Sequence, residues 1–329
     1  MNPFEYQRAE DAASAVTAVR ERQGATFLGG GTALVDLMKE GAELPTRLVD
    51  VSALGSLEVT RDGEQLVLGA AASNTAVAYS GLVEQHFPAL SQAILSGASP
   101  QLRNRATVAG NLMQRTRCPY FRGNGFACNK RKPGSGCAAL EGYNRYHAVL
   151  GVSPSCIAAH PSDLCVALML SQARLAVEGV GGSRQLGLEE LYRLPGKTPW
   201  LEHNLADHDL IREVRFRAEP LLRHSIYLKV RDRASYAFAL VSVAAAASFE
   251  GDTPSQLRVA LGGVGAVPWR ARRIEEGLLG KPLSQAAVDA AVAEEFASAS
   301  LREHNAFKFA LTKRAVWRAL SQLLKGAPS

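Results

Sequence analysis

The stretch from Arg117 to Cys156 limits most strongly what this chain can fold into. It carries four of the five cysteines: Cys118, Cys128, Cys137 and Cys156. The first three fall in CPYFRGNGFACNKRKPGSGC, a run crowded with glycine, proline, asparagine, lysine and arginine. Neither the helical nor the strand period is present in it. A hydrophobic core cannot shape such a run. Four thiolates closing on one metal centre would. The flanking sequence reads as ordinary globular protein, so the run is a loop set into another fold.

Several chemistries fit four cysteines. Structural zinc prefers close Cys-x₂₋₄-Cys pairs, and these cysteines are more widely spaced. A [4Fe-4S] cluster is a larger cage that wide spacing permits, whereas a [2Fe-2S] centre of the plant type would use a close pair. Four unligated cysteines would expose thiols to no purpose. Lys130, Arg131 and Lys132 suit an anionic, thiolate-held cluster, whose potential responds to nearby charge. The odd number of cysteines and the length of the chain both argue against a disulfide framework. Cys165 lies in an apolar helical stretch and reads as a small buried hydrophobe.

With 329 residues, 47% hydrophobic and 21% charged, the chain has room for about two or three domains. The net charge of +6 comes partly from Arg115, Arg117, Arg122, Lys130, Arg131 and Lys132. It reads as a mildly basic solvated surface. No basic run interleaved with aromatics points to nucleic acid. The opening MNPFEYQRAED lacks the pattern of a signal peptide. The most apolar run, Tyr236 to Phe249, is shorter than the ~20 residues of a membrane span, so no membrane insertion is expected.

In chain order, a helix is expected over Ala9–Arg22 and a strand over Ala25–Leu28. Gly29-Gly30-Gly31-Thr32 follows, then a helix from Ala33 to Lys39. Strand, glycine loop and helix together can cradle a phosphate: glycines let the backbone come close, and helix-start N–H groups face the anion. A tight turn with Thr32 as N-cap is the plain alternative. Strands are expected at Arg47–Val51 and Gln65–Gly69, and an amphipathic helix at Leu82–Leu95. Ser96 to Asn111 is rich in small and polar residues. It could offer backbone N–H groups to the same ligand or form a surface loop. Asp163 is placed to cap a helix over Leu164–Ala173. Gly196-Lys197-Thr198 imitates the end of a P-loop, but Leu191 stands where the upstream glycine belongs. A strand is expected at Leu210–Arg217. From about residue 220 an α+β tail follows: Ser225–Val230, Ala237–Phe249 (strand or buried helix) and Gln256–Leu261, then helices over Ala271–Leu279, Ser284–Ser298 and Ala306–Leu324. The remaining histidines, His147 among them, read as solvated or satisfied core residues.

Five stretches, in order along nearly the whole chain, resemble one family: LGGGTAL at 28–34, LRNRATVAGN at 102–111, HPSD at 160–163, YLKVRDRASYAFALVSVAAA at 227–246 and ALGGVGAVPWRAR at 260–272. They are similar to the FAD-binding medium subunit of the molybdenum hydroxylases, the relatives of xanthine dehydrogenase, carbon monoxide dehydrogenase and aldehyde oxidoreductase. Most members lack an insertion at 115–150. Its presence resembles the periplasmic aldehyde oxidoreductase branch, whose loop holds a [4Fe-4S] cluster. The β subunit of 4-hydroxybenzoyl-CoA reductase carries a related insertion.

The resemblance implies an α+β chain. A PCMH-type FAD-binding domain over 1–219 would have two subdomains meeting near 55 and the iron–sulfur loop at about 115–156, and a C-terminal α+β domain would span 220–329. It implies that Leu28, Gly29, Gly30, Gly31, Thr32, Ala33 and Leu34 hold the FAD pyrophosphate. Thr107, Val108, Ala109, Gly110 and Asn111 would do so from the other side, with Gly97 nearby. Asp163 and Lys229 would line the ribityl and flavin region, and Ile211 would offer a backbone contact. Cys118, Cys128, Cys137 and Cys156 would ligate the cluster. No catalytic side chain is expected. The implied function is electron transfer in a heterotrimeric aldehyde oxidoreductase. A large molybdenum-cofactor subunit would oxidise the aldehyde, a small [2Fe-2S] subunit would pass electrons to FAD, and an external acceptor would receive them. The alternatives are another molybdenum hydroxylase (hydroxybenzoyl-CoA reductase or xanthine dehydrogenase type), a self-contained flavoprotein oxidase and a zinc-clipped nucleotide-binding module. Periplasmic residence, by co-export with a signal-bearing partner, is the expectation, with the cytoplasm as the alternative.

Overall fold

The computed structural model describes residues 1–326; residues 327–329, the end of the expected 220–329 domain, lie outside the described residues. Three sheets make up the frame. The first joins β1 (Glu5–Arg8), β2 (Ala25–Leu28) and β3 (Arg47–Asp50) in the order β1-β3-β2, all parallel. Parallel neighbours need crossovers, and the helices Ala12–Arg20 and Leu34–Glu40 lie in these connections. The first is started by an Asp11 capping box, and Ala15, Val16 and Val19 bury its apolar stripe against Val49.

The second sheet is antiparallel. It joins β4 (Val59–Asp62), β5 (Gln65–Gly69), β6 (Arg174–Gly179), β7 (Gly182–Gly187) and β8 (Leu210–Arg217) in the order β4-β5-β8-β6-β7. The third, β9 (Ser225–Val230), β10 (Val241–Glu250), β11 (Thr253–Gly262) and β12 (Trp269–Arg270), runs β12-β11-β10-β9. The helices Arg272–Leu278, Gln285–Glu295 and Phe307–Lys325 follow it.

Strand β10 explains why Ala237–Phe249 is ambiguous as sequence. Val241, Val243, Ala245 and Ala247 enter the core shared with the C-terminal helices, while Ala244 and Ala246 face the core beneath the second sheet, with Leu66, Leu90 and Leu164. A strand buried on both faces shows no alternation. The expected helix over Leu82–Leu95 is two helices, Gly81–His86 and Pro88–Ser96. Pro88 has no N–H to continue the ladder. The break seats Phe87, which is fully buried, edge-on against Phe216 at 5.6 Å. Ser96–Asn111 is not an open loop; it holds two short helices, Pro100–Arg105 and Val108–Leu112, capped by Ser99 and Thr107. Thr32 is not an N-cap: Ala33 takes that position, without a side-chain hydrogen bond.

Candidate functional site

The glycine loop and the Thr107 segment press backbone against backbone. A Cβ on Gly30 would stand 1.7 Å from the Arg105 carbonyl oxygen, and one on Gly29 or Gly110 would stand 3.0 Å from Thr107 Oγ1. Gly31 has φ +75°, which favours glycine. Both segments line a cleft of about 640 Å³ that opens into a second lobe of about 620 Å³, with Thr32, Ala33, Gly110 and His160 shared between the lobes.

The two segments differ in what they offer. The N–H groups of Gly29, Gly30, Gly31, Thr32 and Ala33 have no protein acceptor among the described residues. Consecutive free N–H groups along a cleft form a receptor for an anion. The N–H groups of Val108 and Ala109 are spent on Ala72 O and Ala70 O, and those of Gly110 and Asn111 on Thr107 Oγ1 and Thr107 O. Asn111 Oδ1 accepts from Ser162 Oγ and Gln114 Nε2, both at 2.6 Å. The second segment is therefore the rigid wall, and the first carries the unpartnered N–H groups.

Other candidate residues divide between the lobes. Leu34, Thr107, Ala109 and Ile211 line the first; Gly97, Asn111, Asp163 and Lys229 line the second. Leu28 and Val108 line neither. Asp163 is not the helix cap. Ser162 Oγ accepts from Cys165 N at 3.1 Å, which frees the Asp163 carboxylate. It takes Lys229 Nζ at 2.7 Å and Tyr227 Oη–H at 2.5 Å. The cations around Ser96–Ala98 collect its carbonyls: Lys229 and Arg231 donate to Ser96 O, and Arg103 donates to Gly97 O at 2.7 Å. Ala98 is held at φ +50° beside this turn, a strained conformation at the lobe's edge. Sequence reading missed Tyr192, Trp200 and Phe238 as lining residues. No local pattern sets them apart from other aromatics.

The cysteine loop lies against this cleft. Its regular structure is one helical turn, Pro119–Arg122, and isolated bridges pairing Cys128 with Cys137, Leu150 with Gly265 and Ser153 with Cys156. Ion pairs fasten it. Arg117 and Arg122 reach Asp36, Arg122 also reaches Glu40 on the helix after the glycine loop, and Arg115 binds Glu43 and Glu202. Lys130 Nζ lies 2.9 Å from Glu202 and 2.7 Å from Pro199 O, and Arg131 donates to the carbonyls of Tyr120, Phe121 and Phe126. Of the loop's expected solvated cations, these five are clamps. Burial pushes the Glu202 carboxyl up, but Arg115 and Lys130 together outweigh it and hold it below its ordinary range.

Among the described residues no three His, Cys, Asp or Glu side chains stand as ligands of a single metal ion. Cys118, Cys128, Cys137 and Cys156 do line one small cavity. Cys128 and Cys156 are buried. Burial pushes the Cys118 thiol up to about 12 against the N–H groups of Phe121 and Tyr120, and pushes Cys156 up as well. Cys118 and Cys156 become thiolates only with a compensating cation beside them, and four sulfurs on one cavity are a donor set that an iron–sulfur group could use. Cys118 also lines the second lobe and Cys156 the first. Cys165 stands apart, fully buried, its Sγ 2.9 Å from Tyr192 Oη. His147 is no satisfied core residue: its Nε2 stands 3.1 Å from Cys118 Sγ, and its buried Nδ1 has no partner.

Residues 2–216 match the family described as the FAD binding domain in molybdopterin dehydrogenase, and residues 226–323 match the CO dehydrogenase flavoprotein C-terminal domain. The chain belongs to the FAD-binding subunits of the molybdenum hydroxylase family and is a component of an oxidoreductase. It is 48% identical to the aldehyde oxidoreductase FAD-binding subunit PaoB of Escherichia coli K12, over 98% of both chains. It is 26% identical to the carbon monoxide dehydrogenase medium chain of Hydrogenophaga pseudoflava, over 97% of this chain and 96% of that one. The fold matches the solved carbon monoxide dehydrogenase from H. pseudoflava with a TM-score of 0.76 at 23% identity, covering 99% of each chain. Quinoline 2-oxidoreductase from Pseudomonas putida 86 matches at TM-score 0.76 and 19% identity, over 99% and 98%.

Proposed function

We propose that the chain is the electron-transfer FAD subunit of a heterotrimeric molybdenum-containing aldehyde oxidoreductase. A large molybdenum-cofactor subunit would oxidise the aldehyde, a small [2Fe-2S] subunit would deliver the electrons, and an external acceptor would receive them. The full-length likeness to an aldehyde oxidoreductase subunit carries this reading over the xanthine dehydrogenase type, whose matched subunit from E. coli O157:H7 is 23% identical. FAD supplies one- and two-electron exchange. The chain's own part is to hold it. The free N–H groups of 29–33 take the pyrophosphate, the Thr107 segment fixes that loop, and Asp163, locked by Lys229 and Tyr227, fixes the second lobe. Cys118, Cys128, Cys137 and Cys156 would hold a [4Fe-4S] cluster; their common cavity against the cleft supports this, and it favours the aldehyde branch.

The test is the composition and turnover of the purified chain and of the assembled trimer. The chain should carry flavin with about four irons per flavin and turn over no aldehyde; the trimer should. Turnover by the isolated chain would make it a self-contained oxidase, and a chain without flavin would sink the proposal. We place the complex in the periplasm, carried by a signal-bearing partner. Fractionation with and without that partner tests this, and cytoplasmic residence in both cases defeats it.

A further inference from the structure

We propose that His147 is a positioning residue for the cysteine-held cluster: its Nε2–H donates to Cys118 Sγ, and the C-terminal half of the chain holds the imidazole in place through Lys308. This rests on the cluster reading above.

His147 is 2% exposed, and its Nε2 lies 3.1 Å from Cys118 Sγ. The tautomer follows from the chemistry of the sulfur. A free thiol could donate S–H to Nε2. A metal-bound thiolate carries no hydrogen and only accepts. With the proton on Nδ1, two bare lone pairs would meet at 3.1 Å, and a buried Nδ1–H would have no acceptor, since Nδ1 has no partner. With the proton on Nε2 the contact is a hydrogen bond, and only an acceptor nitrogen is left unpaired.

The backbone of His147 is fixed from both sides. Its N–H donates to Asn144 O at 3.0 Å. Its carbonyl accepts from Lys308 Nζ at 2.8 Å, and the same Nζ reaches Gly263 O at 2.5 Å. Asn305 Nδ2 donates to the next carbonyl, Ala148 O, at 3.3 Å. Lys308 is 0% exposed, and its ammonium is met by two carbonyls rather than a carboxylate. A buried cation so placed is costly. An anionic cluster behind the neighbouring Cys118 would give it a counter-charge. The Tyr120 ring, 6.0 Å away, closes another side of the imidazole.

A hydrogen bond to a ligand sulfur tunes an iron–sulfur potential. One electron entering the cluster raises the negative charge on its sulfurs, so the donor stabilises the reduced form more than the oxidised form and raises the potential. Cys118 and His147 also line the second lobe of the cleft, so the tuning acts on the side that faces the flavin site.

The test uses the assembled complex with His147→Leu, which removes the donor, and His147→Gln, which keeps an N–H at similar reach. Iron content and an EPR-monitored redox titration are read for each. The leucine variant should keep its iron and show a cluster midpoint lowered by on the order of tenfold in the reduction equilibrium, about 59 mV for one electron. The glutamine variant should recover most of that. Retained iron with an unmoved midpoint in the leucine variant overturns the proposal, as does a glutamine variant that falls as far. Should the leucine variant lose its iron, the reduced wild-type complex labelled with ¹⁵N-histidine decides by pulsed EPR. A weak nitrogen coupling upholds the hydrogen bond; no coupling, or the strong coupling of a direct ligand, overturns it. A wild-type complex without iron removes the cluster reading, and this inference with it.

Discussion

The glycine-loop cleft and the cysteine loop lie side by side but reach their shapes by different physics. The cleft is built from regular elements whose own hydrogen bonds fix it. Thr107 caps its helix, Val108 and Ala109 bind Ala72 and Ala70, and Gly30 fits under the Arg105 carbonyl with no space to spare. The loop has one helical turn; around its first three cysteines the apolar packing is confined to Leu37, Phe121 and Cys128, and only its last part, at Val149 and Leu150, enters the C-terminal core. Arginines and lysines tie it to acidic residues of the host fold, and its four sulfurs converge on one cavity. The contrast teaches that one chain can fix one segment with backbone hydrogen bonds and its neighbour with charge.

The largest effect should come from Gly30→Ala. The added carbon would meet a backbone oxygen that cannot swing aside. Chemical denaturation should show a loss of about 3 kcal/mol or more, and purified protein should lack flavin. Flavin at wild-type level would mean the cleft is pliable, and the contrast would fail at its rigid side.

Cys128→Ser tests the other side. Iron should be lost and limited proteolysis should cut within 115–156, while flavin per chain stays near wild type. If flavin leaves together with iron, the two regions form one cooperative unit.

Glu202→Gln should cost about 2 kcal/mol at neutral pH, because Arg115 and Lys130 lose their shared anion in a half-buried place. The folded-state pKa of Glu202 lies below its ordinary value, so the stability it lends is complete above about pH 4.3 and is lost as pH falls through the lowered pKa. Unfolding curves of variant and wild type should therefore converge in acid; a gap that stays constant with pH would assign the effect to packing.

The smallest effect belongs to Cys165→Ala, about 1 kcal/mol from the lost sulfur contact with Tyr192, with iron unchanged. Any loss of iron would bring the fifth cysteine into the cluster argument.

Much of the frame was legible in the residues. Gln65–Gly69, Leu210–Arg217 and Ser225–Val230 are strands at the expected residues. Their apolar runs have clear ends. Leu82–Leu95 was misread because periodicity continues across Pro88 while the backbone cannot. Asp163 looked like a cap because Ser162, one residue earlier, caps equally well. The choice between them turns on Lys229, 66 positions away.

The sequence by itself determined two unusual stretches, since both are written locally: consecutive glycines between strand and helix, and cysteines in a run that cannot build a core. Only the tertiary structure decided how the parts act on one another. It left the N–H groups of 29–33 free and spent those of 108–111, turned the loop's basic residues into clamps, and set His147 between Cys118 and Lys308. The physical reason is that each depends on which distant partner satisfies a buried polar group. Local pattern names the group that needs a partner, and the packing of the whole chain supplies it.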